Sequence, residues 1–170
     1  MSRTKIISDW YKQYNHDVYN FLIYYTGRND PEDLVQEVFI KALKGIKRFD
    51  GKSSPKTWLF SIARNVAIDE ARKRKRKAAD QAVPIDDHYE IGHIDTPESI
   101  FQKDEEKQEL YNLICTLKKS YQEVIMLRAI QDLSVDETAS VLNWSNQKVR
   151  TTYSRALKAL KEAQGGKQDE

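Results

Sequence analysis

The side chains best equipped for chemistry fall in two basic clusters. Arg72, Lys73, Arg74, Lys75, Arg76 and Lys77 are six consecutive cations, the electrostatic footprint of a phosphate-binding surface. A solvated helix end or an anionic membrane surface would account for the same run. Nearer the C-terminus, Gln147, Lys148, Arg150, Thr151, Ser154, Arg155 and Lys158 lie away from an apolar stripe of Val149, Tyr153, Ala156, Leu157 and Leu160. Arginine and lysine pair with guanine edges or phosphates, and threonine or serine serves either. Catalytic chemistry is poorly supplied, with three histidines (His16, His88, His93) and one cysteine, Cys115. His88 and His93 beside Asp86, Asp87 and Asp95 leave a zinc site as an alternative. However, no HExxH or paired CxxC spacing is present. No metal, cofactor or catalytic residue is therefore expected. Cys115, between Ile114 and Leu117, reads as a small buried apolar residue.

These residues belong to a chain of 170 residues with 32% charged side chains and a mean hydropathy of −0.73. No apolar run approaches the ~18–20 residues that span a bilayer, and Met1 to Trp10 lacks the apolar stretch of a signal peptide. A lone cysteine cannot form an internal disulfide. A cytoplasmic protein without direct membrane insertion is expected. The net charge of +2 hides a segregation: residues 41–79 carry 13 basic and 3 acidic side chains, residues 80–109 carry 2 and 10.

Helix signals recur and strand signals are nearly absent. Trp10, Tyr14, Val18, Tyr19, Leu22 and Ile23 form an aromatic-rich first helix. Asp30-Pro31-Glu32-Asp33 opens a second, with capping acid, proline and first-turn carboxylates. Its apolar face is Leu34, Val35, Val38, Phe39, Ala42, Leu43 and Ile46 at helical spacing. Gly45 and Phe49 to Ser53 read as helix end and loop. Ser54-Pro55 starts a third helix, with Trp58, Leu59, Ile62, Ala63, Val66 and Ala67 inward, running into the six cations. Pro84, Gly92 and an acidic composition predict a flexible linker over 79–96, and Thr96-Pro97-Glu98 restarts a helix. Two capping boxes follow, Ser120-x-x-Glu123 and Ser134-x-x-Glu137. Gly165-Gly166 marks a frayed tail. The fold class is all-α: helical domains over 1–78 and 97–164, joined by the acidic linker, with a tail over 165–170.

Residues 134–161 have the layout of a helix-turn-helix: a short capped helix, a turn at Asn143-Trp144, and a longer helix from Ser145. Asparagine tolerates the left-handed conformation such a turn needs. The first turns of the second helix would reach base edges. A helical hairpin with a charged exterior is the plainer alternative.

The combined pattern resembles a known family. DPEDLVQEVFIKALKGIKRFDGKSSPKTWLFSIARNVAIDEARKRKRK, residues 30–77, closely resembles region two of bacterial sigma factors. LKKSYQEVIMLRAIQDLSVDETASVLNWSNQKVRTTYSRALKALKE, residues 117–162, resembles region four. The spacing, without an intervening domain, is similar to the extracytoplasmic-function group. The resemblance implies a factor that binds core RNA polymerase, directs it to promoters and promotes DNA melting. Region two would occupy the first domain and region four the second.

By this resemblance, Asp33, Gln36, Glu37, Lys41 and Lys44 dock on the clamp helices of the polymerase beta-prime subunit. Lys41, Gly45, Phe49, the loop residues Asp50, Gly51, Lys52, Ser53 and Ser54, then Lys56, Phe60, Arg64, Asn65 and Arg72, would read the minus-ten element. There aromatics can stack on an extruded base, Asn65 can pair with a base edge, and the cations can neutralise phosphates. Core packing is the alternative for Phe49 and Phe60, and is preferred for Trp58. Ser145, Gln147, Lys148, Arg150, Thr151, Ser154, Arg155 and Lys158 would read the minus-thirty-five element. Region four would also bind the polymerase beta flap, and the group is commonly held by an anti-sigma factor, often a membrane protein.

The chain departs from the family pattern at Pro55, Ser61, Asn143 and Thr152, which bears on promoter choice rather than fold. A conventional regulator binding duplex operator DNA would account for residues 134–161 and leave the 30–77 motif unexplained.

Overall fold

The computed structural model describes residues 2–80 and 105–168. The chain divides into two units, within residues 1–94 and 95–170.

The first unit packs three helices, α1 (Arg3–Thr26), α2 (Glu32–Gly45) and α3 (Pro55–Asp80), each against the other two. Ser2 Oγ accepts the Lys5 amide to start α1. Gly27, at φ 72°, ends it and donates its N–H to the Ile23 carbonyl, a left-handed stop that glycine adopts without a Cβ penalty. Phe21 to Tyr25 are buried consecutively, because α2 and α3 cover both sides of the last turns of α1. Leu22, Val38, Leu59, Phe60 and Ala63 are each 0% exposed in the core of the unit. Each large side chain there contributes roughly 1.5–3 kcal/mol. Asp30 Oδ1 accepts the Glu32 amide at 3.3 Å, but Pro31, expected as the first helical residue, takes the N-cap position of α2 and no side chain caps the helix. Arg28 then ties the α1–α2 turn to both following helices, through Asp33 at 2.9 Å and Glu70 at 3.4 Å.

Three further expectations change. Leu43, placed inward by its spacing, is 40% exposed, while Val38 and Ala42 are fully buried where α1 and α3 pack on α2. Trp58 and Ile62 are half-buried rather than core. Ala79 and Asp80, read as linker, are the last residues of α3: the alanine, lysine and arginine preceding them are strong helix formers with no breaker before Pro84. Residues 81–96 of the expected linker, the Thr96-Pro97 start and the His88/His93 alternative lie outside the described residues.

The second unit holds α4 (Glu105–Thr116), α5 (Lys119–Ile125) continuing into a π-turn (Met126–Ile130), α6 (Val135–Leu142) and α7 (Asn146–Gln168). Ile114, Val124, Ile125, Ala139, Val149 and Ala156 form its core, with Tyr111, Leu117, Tyr153 and Leu160 packed against it. The Ser134–Glu137 capping box is formed in both directions, at 3.0 Å each. The Ser120–Glu123 box is not. Lys118 takes the extended N-cap conformation, so Ser120 falls inside the first turn and Glu123 is buried. Gln122 instead closes α4, donating to the carbonyls of Leu117 (2.6 Å) and Cys115 (3.2 Å). Leu157, expected inward, is 41% exposed. Gly165 and Gly166, expected to fray, are helical within α7.

Candidate functional site

The Asp50–Ser54 loop is held at both ends. At its start, Phe49 is half-buried in a three-ring cluster, edge-on to Trp10 (centroids 5.4 Å, 81°) and tilted on Trp58 (5.2 Å). Trp10 and Trp58 complete the triangle at 6.0 Å. Gly45 lies beneath, where a Cβ would stand 3.5 Å from the Trp58 ring. At the other end, Ser54 Oγ accepts the Thr57 amide and starts α3. Between them Asp50 Oδ1 accepts the Lys52 amide and Gly51 takes φ 76°, a turn that leaves Asp50, Gly51, Lys52 and Ser54 exposed and Ser53 half-exposed.

Of the remaining minus-ten candidates, Asn65 and Arg72 are exposed on α3, and Arg64 is half-buried. Lys41 and Arg72 both approach Asp69, at 4.0 and 3.9 Å, and Lys41 also pairs with Glu37 at 3.4 Å. Lys56 pairs with Asp17 of α1 at 3.9 Å. Phe60 is corrected. It is 0% exposed and edge-on to Phe21 at 5.2 Å, so its ring is core and has no face to offer a base. The six cations from Arg72 to Lys77 are all exposed, on turns of α3 that carry no core residue.

On α2, Asp33, Gln36, Lys41 and Lys44 are exposed and Glu37 is half-buried. Arg28 grips Asp33 with two nitrogens, at 2.9 and 3.1 Å, and this hydrogen-bonded guanidinium holds the Asp33 carboxyl below the usual aspartate range. Sequence reasoning missed Ile40, which is 53% exposed and lies one turn from both Gln36 and Lys44. Its signal was an apolar side chain standing off the apolar stripe.

In the second unit, Asn143 takes φ 58°, ψ 45° and donates its N–H to Ala139, giving the left-handed turn between α6 and α7. Ser145 Oγ accepts the Lys148 amide and caps α7. Gln147, Lys148, Arg150, Ser154, Arg155 and Lys158 are exposed with Ser145, Thr151 is half-buried, and Val149 and Ala156 face the core. The Lys148 ammonium rests 4.4 Å from the Trp144 ring. Arg128 donates to the Leu133 carbonyl (2.6 Å) and stacks 5.1 Å from Tyr153, bracing α7 against the approach to α6. Burial pushes the Cys115 thiol up, away from nucleophilic use. Among the described residues no group of His, Cys, Asp and Glu could hold a metal ion. No helix among them is long and apolar enough to cross a membrane.

Comparison with known proteins identifies both halves. Sigma-70 region 2 matches residues 10–77 and Sigma-70 region 4 matches residues 107–160. The chain belongs to the sigma-70 family. Within it, the chain is 40% identical over 156 residues to the ECF RNA polymerase sigma factor SigX of Bacillus subtilis, covering 89% of this chain and 79% of that protein. It is 30% identical over 154 residues to the ECF RNA polymerase sigma-E factor of Escherichia coli, covering 87% and 81%. The fold is similar to the sigma factor RpoE solved with the anti-sigma factor NepR from Bartonella quintana (TM-score 0.76, 24% identity, 95% and 98% covered). It is similar again to CnrH in complex with the cytosolic domain of CnrY (TM-score 0.70, 19% identity, 96% and 90% covered). The chain is an ECF sigma factor, a non-enzymatic initiation factor that directs RNA polymerase to promoters. The region 2 match accounts for the motif that a conventional regulator would leave unexplained.

Proposed function

We propose that the two units of this sigma factor divide promoter recognition between them. In the first unit, the exposed face of α2 docks on the beta-prime clamp helices of core polymerase. Asp33, Gln36, Glu37, Lys41 and Lys44 supply a mixed-charge rim and Ile40 an apolar centre. An interface of that composition combines steering with desolvated contact. The loop Asp50–Ser54, with Gly45, Phe49, Lys56, Arg64, Asn65 and Arg72, reads the minus-ten element and holds a base of the melted strand. A captured base offsets the few kcal/mol of unpairing. In the second unit, Ser145, Gln147, Lys148, Arg150, Thr151, Ser154, Arg155 and Lys158 read the minus-thirty-five element, and the same unit meets the beta flap. The acidic segment 81–96 sets the spacing between the two. Such a factor works in the cytoplasm, and its regulator is an anti-sigma factor. The sigma factor RpoE, of similar fold and solved with the anti-sigma factor NepR, supports that partner class.

The observation that carries this reading is the left-handed Asn143 turn presenting a basic α7 face in a chain that also has a region 2 bundle. Run-off transcription with sigma-free core polymerase on a pooled promoter library tests it. Transcripts starting at a shared two-part motif are expected only when the protein is added. Duplex-DNA binding by the isolated protein without core binding or transcripts would overturn it.

A further inference from the structure

We infer that Asn146 is a specificity-determining residue that reads an adenine in the upstream promoter element, and that Asp136 is the positioning residue that orients it. The inference rests on the proposed reading of that element by α7. Asn146 is the first residue of α7 and Asp136 lies in the first turn of α6, ten positions earlier. Asn146 Nδ2 donates to Asp136 Oδ1 at 2.5 Å, and both residues are exposed.

An ionised carboxylate only accepts hydrogen bonds. Only the amide nitrogen of Asn146 can therefore face Asp136, which fixes the orientation of an otherwise reversible side chain. One Nδ2 hydrogen is committed. The second hydrogen and the Oδ1 carbonyl have no partner among the described residues. With Asp136 taking the hydrogen anti to Oδ1, the syn hydrogen and Oδ1 form an adjacent donor and acceptor in one plane, the pair that matches adenine N7 and N6 in the major groove. The first turn of the second helix is where base edges come within reach in helix-turn-helix docking.

The tie is not needed to hold the two helices together. The Ser134–Glu137 box, the Asn143 turn and the Ser145 cap already fix this junction. The placement of a carboxylate on a DNA-facing surface, where it repels phosphate, is accounted for by orienting the reader beside it. Lys148, parked on Trp144 at 4.4 Å, supplies a neighbouring cation.

The test uses holoenzyme assembled from sigma-free core polymerase and the full chain. Run-off transcription is read on promoters randomised through the upstream element. For the wild type, A·T is preferred at one position by about tenfold, the discrimination of one good bidentate contact. Asn146→Ala abolishes the preference at that position and leaves the others. Asp136→Ala weakens the same preference, and Asp136→Glu restores it. A purely structural tie would instead lower transcription uniformly. Unchanged base preferences at every position in Asn146→Ala, whatever the total yield, would overturn the inference. Absence of motif-dependent transcription by the wild type would overturn the promoter reading itself, a separate result visible in the control arm.

Discussion

Trp10 of α1 stands edge-on to Phe49, with ring centroids 5.4 Å apart and planes at 81°. The contact joins two residues 39 positions apart and fixes where the Asp50–Ser54 loop leaves the bundle. Edge-to-face geometry is favourable because the positive ring edge meets the negative face. Phe49 therefore has two tasks, as anchor of the loop and as neighbour of whatever the loop binds.

Trp10→Ala should lower the stability of the first unit by about 1–2 kcal/mol, less than a full core deletion because the ring is half-buried. Trp10→Phe should recover much of it. Urea unfolding followed by circular dichroism measures the difference, and equal stability of wild type and Trp10→Ala would show that the ring contact does no anchoring.

Phe49 and Phe60 should separate cleanly on substitution. Phe60→Ala removes a fully buried ring and should cost about 3–5 kcal/mol, enough to lose the fold of a small unit. Phe49→Ala with Asn65→Ala should keep core binding and impair promoter opening. Permanganate reactivity of minus-ten thymines in the assembled complex reads the opening step. Undiminished reactivity would remove both residues from the reading of that element.

Ile40→Glu should leave the melting temperature almost unchanged, since exposed substitutions usually stay within about 0.5 kcal/mol. It should weaken core-polymerase binding by at least about tenfold, as expected for a charge placed in a desolvated interface centre. Fluorescence titration of labelled protein with core polymerase measures the loss. Wild-type affinity would move the docking surface off this face.

Asp33 should titrate below the ordinary aspartate range, and Arg28→Gln should return it upward, because the two-nitrogen grip of Arg28 favours the carboxylate. The sign follows from the lowered folded value: the stabilisation is complete above the unfolded value, ~3.9, and is lost as pH falls through the lower folded one. Asp33 is largely exposed, so the contribution is at most about 1 kcal/mol. A carboxyl-carbon NMR titration of both proteins would show it, and coincident curves would refute the pairing in solution.

Asn143→Gly should be neutral or slightly stabilising, and Asn143→Val should cost about 1–2 kcal/mol, because the position sits at φ 58° where a β-branched side chain is strained. Thermal unfolding of the full-length variants measures both. A harmless valine would mean that the turn relaxes out of the left-handed conformation.

Local signals carried well where one residue acts on its own neighbours. Ser134 with Glu137 formed the predicted box, Asn143 took the left-handed turn, and Ser54 capped α3, since each needs only the backbone within a few positions. The Ser120–Glu123 pattern satisfied the same rule and failed, because the extended conformation of Lys118 started the helix earlier. Short motifs state what the backbone can use, and packing selects among them.

The sequence by itself determined most of the described helices and their order, because helical periodicity and capping are properties of adjacent residues, and the motifs over 30–77 and 117–162 pointed by resemblance to the sigma-70 family. Tertiary structure decided which faces are exposed. Phe60 and Phe49 are both aromatics near one loop, yet one is sealed against Phe21 and the other is left half-open beside Trp10. Leu43, inward by its spacing, is solvent-facing because α1 and α3 together cover other faces of α2. The Asn146–Asp136 bond exists because the Asn143 turn brings two helix starts together. Burial and pairing between distant segments depend on which surfaces meet, and spacing along one chain does not encode that directly.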